Sequence, residues 1–228
     1  MKIAAFDTSS KALTLAILED ETLLAQMTLN IKKNHSITLM PAIDFLMNSL
    51  DMKPTDLDRI AVAQGPGSYT GLRMAVATAK TLAHTLKIEL VGVSSLLALV
   101  PEQAEGLVIP IMDARRNNVY AGFYQSGQAV RPEAHLPLAE VLEIADAANQ
   151  PVTFVGETTA FVEQIEEALP QAAIQPTLPD AGAIGRLGLD LPAQSIHDFV
   201  PNYLKRVEAE ENWLKTHQES SDSYIQRL

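Results

Sequence analysis

The chain contains no cysteine in 228 residues, so disulfides, thiolate metal sites and cysteine nucleophiles are all excluded, as suits a reducing compartment. Positive charge is also scarce. Seventeen Lys and Arg face 28 Asp and Glu, a net charge of -11, which repels a nucleic-acid backbone. Any link to RNA must therefore run through a partner, and taken alone the acidity serves solubility. No apolar run reaches the roughly 18 residues that span a bilayer, and in MKIAAFDTSS the acidic Asp7 comes too early for a signal-peptide core. A cytoplasmic protein without membrane contact is expected. Neither HExxH nor GxSxG occurs, which argues against a zinc or serine peptidase. What is present is a chain that is 47% hydrophobic, long enough to bury a sizeable core.

Three runs of strand character open it, 2–7 (KIAAFD), 12–19 (ALTLAILE) and 22–29 (TLLAQMTL), parted by TSSK and by Asp20-Glu21. A helical pattern over 37–50, a strand at 59–64, a long helix over 68–86, a strand at 88–93 and a short helix after Ser94 follow. Sliding the sequence by 106 positions lays Ile109–Tyr124 over Ile3–Leu18 and Asp113 over Asp7. The second half continues with strands at 128–135, 152–155 and 172–175 and helices at 137–147, 158–168 and 181–190. Agreement along such a length indicates a duplicated α/β unit. The fold expected is two similar βββαβαβα lobes, residues 1–102 and 103–204, hinged near 101–106, with a C-terminal helix and tail over 205–228. This order resembles the actin, sugar-kinase and acetate-kinase (ASKHA) superfamily. There the Asp of each first hairpin points at a nucleotide phosphate or its metal.

The stretch AVAQGPGSYTGLR invites a phosphate-loop reading, but no Lys follows Gly71 as a Walker loop demands. A dinucleotide fingerprint would need glycine at position 70, which is Thr. Glycines and hydroxyls ahead of a helix suit an anion or plain capping by Ser68 or Thr70, and both readings stay open. In the helix itself Gly71, Ala75, Ala79 and Ala83 recur every four residues, a ridge of small side chains that lets another helix come close. The preceding helix carries Leu39, Met40, Ile43 and Met47 within SITLMPAIDFLMNSL, more apolar surface than a one-sided helix uses. The adaptable methionines favour a partner surface.

The run AVAQGPGSYTGLRMAVATAK, with VGVSSLLAL, MDARRNNVYAGFY and PNYLKRVEAE, closely resembles the bacterial TsaB (YeaZ) family over most of the chain. That family is related to the TsaD/Kae1 subunits that transfer threonylcarbamoyl to adenosine 37 of tRNAs reading ANN codons. The catalytic branch carries a pattern like VGV-N-H-x-E-G-H whose two histidines bind the active-site metal. Here those positions hold Ser95 and Leu99, and leucine has no lone pair for a metal. The resemblance therefore implies a non-catalytic subunit with no metal. It would pair with a TsaD-type enzyme, work with a TsaE-type ATPase, and self-associate through the same surface when alone. tRNA would be met only through the complex.

The interface expected is Leu39, Met40, Ile43, Met47, Gly71, Ala75, Ala79 and Ala83, so that Ala79→Arg or Met47→Asp would abolish pairing in a folded chain. Asp7, Thr8, Ser9 and Asp113 are the expected remnant of a nucleotide site, with weak ATP or ADP binding and no cofactor in the strict sense. The Arg115-Arg116 pair beside Asp113 suggests ion pairing rather than a phosphate loop. His35, His84, His135, His197 and His217 show no helical ligand spacing, and His35 is read as a helix-start or interface residue. The competing readings are an ATP-dependent phosphotransferase using Asp7 and Asp113, and a glycoprotease-like metallopeptidase. A short helix over 205–216 is expected to pack through Trp213 and Leu214.

Overall fold

A computed structural model describes residues 1–31, 35–101, 103 and 105–205. The expected helix over 205–216, with Trp213 and Leu214, lies outside the described residues except at Lys205, and the hinge at 101–106 lies partly outside them.

The first half runs β1 (Lys2–Asp7), β2 (Leu13–Glu19), β3 (Thr22–Leu29), α1 (His35–Ser49), β4 (Arg59–Gly65), α2 (Tyr69–Leu86) and β5 (Glu89–Ser94). A single 3-10 turn at Leu97–Leu99 follows. The second half runs β6 (Leu107–Asp113), β7 (Asn118–Gln125), β8 (Gln128–Pro137), α3 (Leu138–Asp146), β9 (Val152–Gly156), α4 (Val162–Ala168), β10 (Ala173–Pro176) and α5 (Ala181–Asp190). Each half makes a five-stranded sheet, in the orders β3-β2-β1-β4-β5 and β10-β9-β6-β7-β8. Read from the other edge, the second order repeats the first. The meander strands pair antiparallel, and β1 with β4, β4 with β5, β6 with β9 and β9 with β10 pair parallel. This is the duplicated actin-like α/β architecture, with Asp7 and Asp113 closing equivalent strands. α4 starts four residues later than expected, because a turn closed by Phe161 N–H to the Thr158 carbonyl comes first.

Burial explains the strand composition. β1, β2 and β4 are covered on both faces and read as continuous apolar runs, whereas β3 at the edge alternates. One face of the first sheet (Phe6, Leu15, Ile17, Val62) packs on Leu39, Ile43, Leu46 and Met47 of α1 and on Ala75, Val76, Ala79 and Ala83 of α2. The other face (Ile3, Ala5, Leu18, Ala61, Val91) takes Ala181 and Ile184 of α5.

The helix that the duplication assigns to the second lobe thus completes the first. A sheet apolar on both faces needs cover on both, and the glycines of α5 allow close approach: a Cβ at Gly185 would collide with the Leu18 side chain. Residues 192–205 continue around the same lobe as a strap. Gln194 N–H bonds the Leu90 carbonyl, Lys80 Nζ bonds the carbonyls of His197 and Phe199, and Asn202 N–H bonds the Gln64 carbonyl. Phe199, 2% exposed, enters the core under α2. Among the described residues no helix is long and apolar enough to cross a membrane.

Candidate functional site

Two surfaces stand out. The first is a cleft of about 710 Å³ between the first-hairpin turns of the two halves, lined by Ser9, Lys11, Ser68, Asp113, Arg115 and Glu157 among others. The GPG loop forms part of its wall. Ser68 caps α2, its Oγ accepting from Gly71 N–H at 3.4 Å, and Ser68 N–H itself bonds the Ser9 carbonyl at 2.6 Å.

Of the four residues expected to face a nucleotide, Ser9 and Asp113 line this cleft, while Asp7 and Thr8 do not and are wholly buried. Local hydrogen bonds turn both inward. Both Asp7 carboxylate oxygens accept from Ser9, one from its N–H at 2.5 Å and one from its Oγ at 2.9 Å. Thr8 Oγ1 donates to the Gly71 carbonyl at 2.8 Å. Burial pushes the Asp7 carboxyl up to about 6, against the pull of the Ser9 bonds.

Across the cleft Asp113 is held by its own turn, accepting from Arg115 N–H and from Arg115 Nη1, each at 2.8 Å. The ion pair read from the sequence is therefore present. Arg115, Arg116 and Asn117 all have positive φ (70°, 53° and 57°), a left-handed run that non-glycine residues adopt at a cost. Asn118 steadies it by donating its side-chain amide to the carbonyls of Arg115 and Arg116. Beside the cleft the two halves are tied by a carboxylate. Glu133 Oε1 accepts from both Ser94 Oγ and Tyr124 OH, and burial followed by this carboxylate raises the Tyr124 hydroxyl pKa.

The second surface is the outer side of α1. Of the eight residues expected at an interface, only Met40 is exposed, at 48%; Leu39, Ile43, Met47, Ala75, Ala79 and Ala83 are each 5% exposed or less, and Gly71 is buried as well. The small ridge of α2 serves contact with its own sheet: a Cβ at Gly71 would collide with the Thr8 carbonyl oxygen. The large apolar side chains α1 does present are Ile37 (70% exposed), Phe45 (59%) and Met40.

Nearby, at the start of α2, Tyr69 stacks on Tyr203 of the strap at 5.1 Å, and Arg73 donates to Tyr69 OH. His35 opens α1 and donates Nε2–H to the Ser10 carbonyl at 3.1 Å. Sequence reading counts Ile37 and Phe45 in the apolar excess of α1 without assigning them to the interface, and it does not single out Tyr69 or Tyr203. Sorting α1 by its 100° step gathers Leu39, Ile43, Leu46 and Met47 into one arc and sets Ile37 and Phe45 outside it, with Met40 at the border beside Met47, a signal available from the start for Ile37 and Phe45.

A family model described as "TsaD: tRNA N6-adenosine threonylcarbamoyltransferase" matches residues 22–213. The tRNA threonylcarbamoyladenosine biosynthesis protein TsaB of Bacillus subtilis is 41% identical over 95% of this chain and 99% of its own length. The chain belongs to the TsaB (YeaZ) family. The solved structure of YeaZ from Pseudomonas aeruginosa is similar over 89% of this chain and 99% of that one, with a TM-score of 0.76 and 28% identity. A second Pseudomonas aeruginosa structure, titled as an uncharacterized protein with similarity to peptidase YEAZ, gives a TM-score of 0.77 at 28% identity, covering 90% of this chain and 99% of that one.

Within this TsaB-type chain, Ser95 and Leu99 are both buried. Ser95 N–H bonds the Gly65 carbonyl and Leu99 packs with Leu96, Val108, Met112 and Val155. The segment packs between the two sheets.

Proposed function

We propose that this chain is the non-catalytic subunit of the system that forms N6-threonylcarbamoyladenosine at position 37 of tRNAs reading ANN codons. It binds a TsaD-type catalytic subunit through α1 and the start of α2. The observation that carries this reading is the outer face of α1, where Ile37, Met40 and Phe45 stand 48% to 70% exposed above a fully packed inner face. Large apolar side chains grouped on one helix are typical of a contact surface. The neighbouring Tyr69, Tyr203 and Arg73 are of the residue types enriched at such surfaces.

Family membership supports the pathway, and the Leu99 side chain supports the division of labour, since it offers no donor where the catalytic branch binds metal. A nucleotide in the cleft would be held weakly, because Asp7 is turned inward and Asp113 is paired with Arg115. These placements count against a phosphotransferase. A TsaE-type ATPase would join the complex, tRNA would be met only there, in the cytoplasm, and the free chain would self-associate through the same face.

The test is the double variant Ile37→Asp/Phe45→Asp, both at exposed positions. Its unfolding midpoint should match wild type while copurification with a TsaD-type protein and reconstituted tRNA modification fall at least tenfold. Unchanged binding and modification would overturn the assignment.

A further inference from the structure

The cleft is walled by both halves, Ser9, Lys11 and Ser68 on one side and Asp113, Arg115 and Glu157 on the other, so its width follows the angle between them. Two segments of chain cross from one half to the other, 95–106 and 177–180. The contact between the halves is apolar at its centre, where Leu96 and Leu99 lie against Val108, Met112 and Val155. Such a contact resists separation, because parting it returns apolar surface to water, but it has no preferred direction and lets the two faces slide. A hydrogen bond is directional and fixes an angle that apolar packing leaves loose.

Glu133 supplies that direction. It stands half-buried on β8, and its Oε1 accepts from Ser94 Oγ at the end of β5 and from Tyr124 OH on β7. The Ser94 oxygen also accepts from the Leu96 and Leu97 N–H groups, at 3.1 Å each, and so opens the Leu97–Leu99 turn that leads across. Ser95 N–H holds the Gly65 carbonyl at 2.9 Å, which ties the same corner to the loop that walls the cleft. On the far side the Tyr124 ring is 3% exposed and lies over Gly122, where a Cβ would come within 2.5 Å of its Cε2. The hydroxyl at its tip is therefore held in one place.

We infer that Glu133 is a latch that sets the angle between the two halves, and with it the width of the cleft, and that without it the halves turn about the two crossing segments. Both bonds end on the same oxygen. A glutamine, whose amide keeps one carbonyl oxygen, therefore closes the latch as the carboxylate does, whereas alanine opens it. The latch belongs to the free chain and goes beyond the proposed function, which stands or falls on the outer face of α1.

The experiment uses the full chain, which has no cysteine of its own, spin-labelled at Lys11→Cys and Glu163→Cys, exposed positions in the first and second halves. Double electron-electron resonance should give one narrow distance distribution with Glu133 and with Glu133→Gln, and a distribution wider by about twofold or more with Glu133→Ala. Ser94→Ala, which cuts the same tie from the first half, should widen it as well. A label pair within the first half, Lys11→Cys with Thr85→Cys, both at exposed positions, should stay narrow in every variant. An unchanged distribution in either alanine variant, a Glu133→Gln distribution as wide as that of Glu133→Ala, or widening of the pair within the first half overturns the inference.

Discussion

Asp7 ends β1 with no exposure, both of its oxygens bonded by Ser9. Its carboxyl titrates near 6 in the folded chain against 3.8 for the ordinary group. The folded state therefore holds this proton more tightly than the unfolded state, and stability falls as pH rises from about 4 to about 6. A shift of that size corresponds to a loss on the order of 3 kcal/mol. Asp7→Asn, which keeps an acceptor for Ser9 and carries no charge, should flatten this part of the profile. Urea midpoints at pH 4.5 and 7.5 would then lie closer together than in wild type; an unchanged gap would show that Asp7 is not its source. The position of Asp7 at a strand end was legible from its match with Asp113 across the repeat. Its direction was not, because whether a carboxylate meets a ligand or its own turn depends on Ser9, two residues on, and on the α2 packing that buries both.

At the scale of elements the sequence was informative about where helices lie and less so about which side they bury. All ten strands and all five helices of the described residues overlap the stretches that periodicity and turn residues marked, although α4 starts four residues late and the short helix expected after Ser94 is only a 3-10 turn. The small ridge of α2 was recognised as a close-approach surface, and that is its role, but the approaching element is the chain's own sheet. A ridge without side chains marks a short distance, and the distance alone does not say to what. Ala79 is fully buried, so Ala79→Arg would force a guanidinium into the core without a partner. It should destabilise the chain by more than about 4 kcal/mol, seen as a large drop in urea midpoint. Ala77→Arg, at an exposed position of the same helix, should leave the midpoint within about 0.5 kcal/mol. Equal effects of the two would mean that the buried side of α2 has been misassigned. Pairing assays built on Ala79→Arg would measure unfolding; Ile37 and Phe45 are the positions that separate binding from folding.

Across the whole molecule the repeat is symmetrical in its strands and asymmetrical in its closure. The second half lends α5 and the strap to the first. Arg59, 6% exposed, fastens that loan: it donates to the carbonyls of Gly188, Leu189 and Leu191 at the end of α5 while pairing with Glu89. None of this was legible from the repeat itself, since the matching order of elements says nothing of which sheet the last helix covers. The apolar excess on both faces of β1 and β4 was the available sign that the first sheet needed an extra layer. The consequence is that the halves should unfold together. Phe199 lies far along the chain from the strands it packs among, and Phe199→Ala opens a void in the core of the first lobe, at a typical cost of about 3 to 5 kcal/mol. Because α5 and the strap are covalently the tail of the second lobe, that cost should shift one common transition, followed in parallel by far-ultraviolet circular dichroism and by amide exchange in β4 and β9. Two separated transitions, with only the first-lobe strands sensitive to Phe199→Ala, would show instead that the lobes fold independently and that the strap merely rests on its neighbour.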